Sequence, residues 1–307
     1  MENGPLLTII TICRNLRDEI AKTCDSIAGQ TWRGFEWIVV DGASTDGTLE
    51  ILKRYEDRIS ILLSEKDTGI YNALNKGIRL ARGEFILFVN GGDMLCDDGV
   101  LANVFDGKSY AADIIYGDHY PARNGKRLKL WRSPPDSVID RLYFVYGNLN
   151  HNSVFMRRAL FERFGEYDES LTIVSDWKKW VECAEGGCTF QKIDLPISVY
   201  DLGGISSECD ESTKSRHYRE RELVCRERYT EDELAEAARR EKAKSEYATD
   251  WKVSLPGGVD LLSVAATPDG RKKKFSFFGI PIVKIGVVPS SLKRIYLFGI
   301  PVATIRE

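Results

Sequence analysis

The chain has 307 residues, enough for one large domain or two ordinary ones with a sizeable core. Apolar residues make up 43% and charged residues 29%, a balance that excludes a disordered chain. A net charge of −3 is too small to point to nucleic acid, and no stretch approaches the roughly 18 to 20 apolar residues of a membrane span.

Leu6–Ile12 is an apolar, β-branched run that reads as a buried strand. It follows an acidic start, Met1-Glu2, and lacks a basic lead-in and cleavage site, so it is not read as a signal peptide. Ile20, Cys24 and Ile27 recur at helical spacing, with Gly29 as a C-terminal stop. Phe35–Val40 reads as a second strand, followed by a helix with Asp46 near its cap and Leu49, Leu52 and Tyr55 along it. Ile59–Leu63 is a third strand. Ile70, Leu74, Ile78 and Ala81 form the stripe of a third helix, and Phe85–Val89 is a fourth strand. Such alternation predicts a mostly parallel sheet with helices on both faces.

Polar residues fall at or just past the strand ends: Thr11, Asp41, Glu65 with Asp67, and Asn90 with Asp93. Open α/β sheets bind ligands in the crevice at that edge. Beyond it, residues 111–210 read as α+β, with short strands at Ile114–Tyr116 and Leu128–Trp131 and helices near Arg157–Phe164 and Asp176–Ala184. Residues 211–250 are dense in Glu and Arg and read as a solvated helix or helical pair. The last part, 251–307, reads as a small β-rich appendage in which Phe278-Gly-Ile-Pro281 recurs as Phe298-Gly-Ile-Pro301, each copy behind a basic-aromatic lead-in. The seven cysteines are scattered, odd in number and without a C-x-x-C pair, which argues free thiols in a reducing compartment and hence a cytoplasmic chain.

Several linked segments resemble the opening of family 2 glycosyltransferases. They are Thr11-Ile-Cys-Arg-Asn15, Ser26-Ile-Ala-Gly-Gln-Thr31, Ile38–Thr48, Ser64–Gly77, Ala81-Arg-Gly-Glu84 and Phe88-Val-Asn-Gly-Gly-Asp93. The resemblance spans about residues 6–206 and is nearest to the subgroup that builds exopolysaccharide and colanic-acid-type repeats. It implies a Rossmann-like nucleotide-diphospho-sugar transferase fold of the A type over residues 1–210. It also implies inverting transfer from a nucleotide-diphospho-sugar, with UDP favoured by family habit, to a glycan or lipid-linked acceptor in cell-surface polysaccharide synthesis.

The resemblance assigns roles residue by residue, and each position also has a plainer reading. Asp41 with Thr11 is placed at the nucleotide base, although Asp41 could simply cap its turn. Asp67, at the start of a helix whose free N–H groups suit an anion, is placed at the nucleotide; Tyr71, Asn75 and Lys76 beside it could equally be packing groups. Asp93 is the expected ligand of Mg²⁺ or Mn²⁺ against the donor diphosphate. This chain departs from the family's paired acids, since Asn90-Gly-Gly-Asp93 supplies one carboxylate, so Asn90 is expected to order the loop. His151 matches a histidine lining the acceptor or diphosphate side, against a structural role. Asp176, in Val174-Ser-Asp-Trp177, is the candidate general base, taking the acceptor proton, and could also cap its helix. Gly203-Gly-Ile-Ser206 resembles a loop near the site.

Two other classes are weighed. Nucleotidyltransferases share the fold type but open with a Gly-rich phosphate loop, and Thr11–Asp18 has no glycine. A non-catalytic nucleotide-sugar-binding or assembly protein would lack Asp93 or Asp176, and both are present. The tail from Arg271 onward carries eight Lys/Arg against one acid among Phe, Ile and Tyr, which suits an anionic membrane surface or equally packing on the core or on a second subunit. The chain is thus expected at the inner face of the membrane as a peripheral protein, a homo-oligomer being compatible with the sequence.

Overall fold

A strand covered on both sides must be apolar on both sides, and Leu7, Ile9 and Ile10 of β1 (Leu7–Cys13) are all fully buried. The computed structural model describes residues 4–123, 125–202 and 211–247, together with six short strands between 252 and 304. β2 (Phe35–Asp41) and β3 (Ile61–Ser64) lie in parallel on one side of β1, and β4 (Phe85–Phe88) in parallel on the other. Ile20, Cys24 and Ile27 of α1 (Ile20–Ala28) pack with Leu7, Ile9 and Trp37 on one face. α3 (Ile70–Leu80) covers the opposite face so closely that a Cβ on Gly77 would lie 2.5 Å from Ile10 Cγ2. Helices therefore flank the sheet on both faces, with α2 (Thr48–Leu52) on the connection between β2 and β3.

Gly29 ends α1 as expected, yet in the right-handed conformation (φ −72°). Space explains the glycine: a Cβ there would lie 3.0 Å from the Asp98 carboxylate.

The second half completes a mixed sheet. β5 (Met94–Leu95), β6 (Ile114–Arg123), β7 (Lys126–Arg127), β8 (Val154–Arg157) and β9 (Phe190–Asp201) join in the order β3-β2-β1-β4-β8-β6-β9-β5, with β7 on β6. β8 runs antiparallel to β4 and β6, whereas β9 is parallel to β6. α4 (Val100–Phe105), α5 (Ala159–Phe164) and α6 (Ser175–Glu185) complete this part.

Two features differ from the sequence reading. The long strand β9 escapes it because Gln191, Lys192, Asp194 and Pro196 interrupt its apolar pattern; the proline falls beside a break in register, where a strand tolerates one. Leu128–Trp131 is not a strand: Gly125 (φ 72°) turns the chain directly after Arg123, so the ladder closes with Lys126–Arg127. Beyond it, one bridge pairs Trp131 with His119.

The chain divides into two compact units, Met1–Thr230 and Glu231–Glu307. α7 (Glu211–Arg228) falls within the first unit. The second unit holds α8 (Glu231–Tyr247), an antiparallel sheet of β10 (Lys252–Ser254), β11 (Asp260–Ala266), β12 (Lys273–Phe277) and β13 (Ile280–Ile285), and the pair β14 (Arg294–Leu297) and β15 (Ile300–Thr304). The sequence repeat is a structural repeat. Ser276 pairs with Pro281 and Phe277 with Ile280, just as Tyr296 pairs with Pro301 and Leu297 with Ile300. Among the described residues, no helix is long and apolar enough to cross a membrane.

Candidate active site

Asp41 ends β2 at the carboxyl edge of the sheet and is fully buried. Its Oδ2 accepts from the Ser64 hydroxyl (2.6 Å) and the Ser44 amide (3.1 Å), and the Ser44 hydroxyl donates to Oδ1. The turn-capping role weighed from sequence is therefore real, and the carboxylate ties the ends of β2 and β3 together. Asn15 (φ 52°) and Ala43 (φ 56°) flank it in the left-handed region that side chains disfavour. Their turns are joined: the Asn15 amide donates to Ser44 Oγ (2.8 Å) and the Thr45 amide to Asn15 Oδ1 (2.9 Å). Strain of this kind clusters at ligand sites.

Asp67 comes to the same corner. A Cβ on Gly42 would lie 2.3 Å from Asp67 Oδ2 and 3.1 Å from Arg14 Cδ, so the glycine is what lets this acid approach β2. Oδ1 of Asp67 accepts from the Gly69 amide (3.1 Å) at the entry to α3. Thr11 is not brought to this corner. It is fully buried, and its hydroxyl accepts from the Trp37 indole (3.0 Å), which places it in the core beneath the rim.

A second corner forms past β4. The Asp93 amide donates to the Asn90 carbonyl (3.0 Å), and Gly92 (φ 99°) allows the tight turn Asn90-Gly-Gly-Asp93. Asp93 is 7% exposed; Oδ1 accepts from the Asp201 amide (2.9 Å) and Oδ2 from Asn152 Nδ2 (2.7 Å). Burial pushes its carboxyl up to about 7, against the opposing pull of those two donors. Lys22, paired with Asp201 at 3.0 Å, is the cation nearest this corner through that partner. The side-chain oxygens of Asn90 and Asn152 are buried and, among the described residues, have no hydrogen-bond partner. A buried carboxylate with orphaned amide oxygens in its turn and on its partner is a donor set suited to a hard cation. The protein's own share is small: among the described residues no group of three or more His, Cys, Asp or Glu could hold a metal.

The third corner centres on Asp176 in the first turn of α6. Its Oδ1 accepts from the Tyr71 hydroxyl (2.9 Å), which reaches over from α3. The other oxygen accepts no hydrogen bond among the described residues. Burial, reinforced by the Asp176 charge, raises the Tyr71 phenol well above its ordinary value and keeps it a donor. His151 stacks on Phe88 (centroids 4.5 Å apart), and its Nε2 lies 3.0 Å from the Tyr167 hydroxyl. Burial lowers its pKa and the nearby Asp176 charge opposes this, so the ring is neutral at physiological pH. The 150–153 turn is the hub between corners: Asn152 reaches Asp93, while His151 faces the Tyr167 side of Asp176.

α7 closes this corner. Glu220 accepts from three consecutive amides, Thr172 (3.0 Å), Ile173 (2.9 Å) and Val174 (3.3 Å), immediately before the helix that carries Asp176. Arg221 lies over the Trp177 ring (4.3 Å) and donates to the carbonyls of Phe144 (3.0 Å) and Gly147 (2.9 Å). The sequence reading named Thr11, Asp41, Glu65, Asp67, Asn90 and Asp93 at the strand ends and His151 and Asp176 as further site residues, and did not single out Asn152, Glu220 and Arg221. Asn152 adjoins His151 in the same motif and could have been found there. Asn75 and Lys76 are accounted for by structure. Asn75 is buried and bonded to the backbone of Tyr167 in both directions (2.9 Å each), and Lys76 pairs with Glu65 (2.8 Å). Gly203–Ser206 lies outside the described residues.

The family model described as glycosyl transferase family 2 matches residues 8–166. The chain is 34% identical over 211 residues to a PGL/p-HBAD biosynthesis glycosyltransferase of Mycobacterium tuberculosis, spanning 66% of this chain and 80% of the relative. It is 27% identical over 226 residues to an uncharacterized glycosyltransferase of the same species, spanning 69% and 81%. Among solved structures, S. aureus TarS 1–349 in complex with UDP-GlcNAc superposes with a TM-score of 0.59 at 20% identity, covering 76% of this chain and 72% of that one. The mannosyltransferase PcManGT from Pyrobaculum calidifontis, in complex with GDP-Man and Mn²⁺, gives 0.52 at 18% identity, covering 83% and 78%. At these identities the two structures speak for the fold, which they share with this chain.

Proposed function

Because this chain belongs to glycosyl transferase family 2, and is therefore an enzyme that transfers sugars, we propose that it carries out inverting transfer from a nucleotide-diphospho-sugar with Asp176 as general base. The observation that carries the reading is the state of that carboxylate: Oδ1 is fixed by Tyr71, and the other oxygen accepts no hydrogen bond among the described residues. An inverting transfer needs one such group. The acceptor oxygen bonds to the anomeric carbon, the carbon–oxygen bond to the diphosphate breaks, and the acceptor proton passes to Asp176. A second carboxylate for a covalent intermediate is not required.

The donor is read onto the other two corners. Asp41 and Asp67 are assigned to the nucleoside, Asp41 through the turn it holds, since its carboxylate already accepts from the Ser44 amide and hydroxyl, the Ser64 hydroxyl and the Cys13 thiol. Asp93, with the Asn90 oxygen in its turn, would hold Mg²⁺ or Mn²⁺, which when bound supplies positive charge to the leaving diphosphate. Asn152 and the Asp201 amide fix the Asp93 carboxylate, and His151, held by Phe88 and Tyr167, lies between that corner and Asp176.

We take a UDP-sugar as the donor and a glycan or lipid-linked molecule of cell-surface polysaccharide synthesis as the acceptor. The exopolysaccharide-like motifs support the acceptor class. The neighbour solved with UDP-GlcNAc supports UDP, and the one solved with GDP-Man and Mn²⁺ supports the metal and keeps GDP in the test. The basic tail beyond Arg271, whose side chains lie outside the described residues, keeps its proposed membrane-surface role, and the free cysteines support a reducing compartment.

The test is a thermal-shift panel of UDP-, GDP- and dTDP-sugars with and without Mn²⁺, followed by turnover of Asp176→Asn. A ligand bound only by the folded state raises the melting temperature. One donor should give a metal-dependent shift that Asp176→Asn retains while losing turnover by roughly 10²- to 10⁴-fold. Wild-type turnover in that variant would overturn the role given to Asp176.

A further inference from the structure

Between His119 and Pro135 the chain has five basic residues (Arg123, Lys126, Arg127, Lys129, Arg132) and no acid, in a protein whose net charge is −3. This is the β6–β7 hairpin and the segment leaving it. Trp131 is 63% exposed and Leu128 46% exposed, among the largest exposed apolar side chains of the described residues. Their backbone is ordered: the Leu128 amide donates to the Pro121 carbonyl (2.7 Å), and Trp131 and His119 exchange amide hydrogen bonds (2.8 and 3.2 Å). Trp131 is therefore held outward by a fixed backbone, with the His119 ring stacked beside it at 6.4 Å.

The charges divide by use. Arg127 lies over the Tyr120 ring (5.7 Å) and donates to the Cys96 carbonyl, and Arg132 pairs with buried Asp118 (3.2 Å). Arg123, Lys126 and Lys129 are exposed and, among the described residues, pair with no carboxylate. Three unpaired cations around an outward tryptophan and leucine have no internal purpose. Tryptophan with its apolar body and polar N–H, ringed by Lys and Arg, matches the boundary between lipid headgroups and acyl chains.

Place strengthens the case. Ala122 pairs with Asp201 in the sheet, the Leu202 amide donates to the Ala122 carbonyl (2.9 Å), and Asp201 in turn donates to Asp93. The hairpin thus springs from the rim that carries the Asp93 corner. We propose that residues 123–132 dock the protein on an anionic bilayer, with Trp131 and Leu128 seated among the headgroups and Arg123, Lys126 and Lys129 against lipid phosphates. Docked in this way, the rim of the site meets acceptors carried in the membrane. The docking itself does not depend on the acceptor assigned above.

The experiment is co-sedimentation of the full chain with vesicles of POPC alone and of POPC doped with POPG, together with tryptophan quenching by acyl-brominated lipid. Wild-type protein should sediment with the anionic vesicles and not with the neutral ones, and its fluorescence should be quenched. A basic side chain near an anionic surface is worth roughly a fivefold change in partition, so Lys126→Ala with Lys129→Ala should weaken binding by roughly 25-fold. Both lysines are exposed and carry no packing, so these variants keep their melting temperature. Trp131→Phe should abolish the quenching. Overturning results are sedimentation of the double variant equal to wild type, quenching that persists in Trp131→Phe, or equal binding to neutral vesicles. Binding lost only on truncating the tail, with the hairpin variants unchanged, would overturn it as well and assign docking to the tail.

Discussion

Replacing Glu220 by alanine tests whether α7 sets the position of the general base. Its carboxylate accepts from the amides of Thr172, Ile173 and Val174, and Asp176 follows two residues later. The Thr172 amide belongs to an exposed residue and can turn to water, but Val174 is buried and its amide would be stranded. A stranded buried donor costs about 1–3 kcal/mol, and hydrogen bonds to a charged acceptor are worth about 1.5–3 kcal/mol, so a net loss of about 2 kcal/mol is expected. For a unit of this size that is a drop of about 4–8 °C in melting temperature. The kinetic expectation is separate: a displacement of about 1 Å in a positioning segment can cost roughly 100-fold in turnover. Steady-state kinetics should show kcat falling by roughly ten- to a hundredfold while the donor KM stays put, because the Asp41, Asp67 and Asp93 corners are untouched. Glu220→Gln keeps a neutral acceptor oxygen in place and should recover most of both losses. A Glu220→Ala protein that melts early yet keeps wild-type kcat would refute the positioning role, leaving Glu220 as a bond between helices and nothing more.

Tyr71→Phe removes the donor to Asp176 Oδ1 and should lower kcat by roughly tenfold, about one hydrogen bond to a charged group, with donor-induced stabilisation unchanged in a thermal-shift assay. Asp93→Ala should abolish the metal-dependent part of that donor shift, read against the variant's own melting temperature. Gly42→Ala drives a methyl group into the place of Asp67 Oδ2, and that carboxylate can swing away, so donor affinity should fall with little change in melting temperature. Asp168 yields a pH prediction. Burial pushes its carboxyl up, but Lys178 (2.6 Å) and the Ser170 donors outweigh this and pull it from 3.8 to about 2. A folded value below the unfolded one gives stability that is complete above about pH 4 and lost as pH falls toward 2. The melting-temperature gap between wild type and Lys178→Met should therefore be widest above pH 4 and close below it; a gap that does not change with pH would contradict the linkage.

β1, β2 and β4 were legible because they are buried on both faces, where apolar side chains dominate, and β3, at the sheet edge, by its short apolar run. The order of those strands also brings the ends of β1, β2 and β4 to one edge, so acids at or just past them in the sequence, Asp41 and Asp93, lie along the same edge. Thr11 follows the same pattern and still lies below the edge, since β1 runs on to Cys13 and Trp37 takes its hydroxyl. One residue of strand length decides between a wall and a rim, and hydrophobic pattern does not resolve one residue. Leu128–Trp131 shows the converse: a β-rich run is apolar there with no core behind it.

α7 shows a more general limit. Periodicity identifies a helix by the apolar stripe it buries, and in Glu211–Arg228 Val224 is the one buried apolar side chain among the described residues, while Glu220, Arg221 and Arg228 meet the rest of the unit through three amides, two carbonyls, the face of Trp177 and the carboxylates of Glu182 and Glu185. A helix anchored by charge onto backbone looks, in sequence, like one that faces water all round. The sequence reading set its boundary at 210, before this helix, and the first compact unit runs to Thr230. Apolar anchoring would have been visible in the sequence but would have left three amides before α6 without a partner. The carboxylate that hides α7 from the sequence is also what orders the approach to Asp176, so a helix of this type following a candidate base warrants inspection before it is set aside as a solvated spacer.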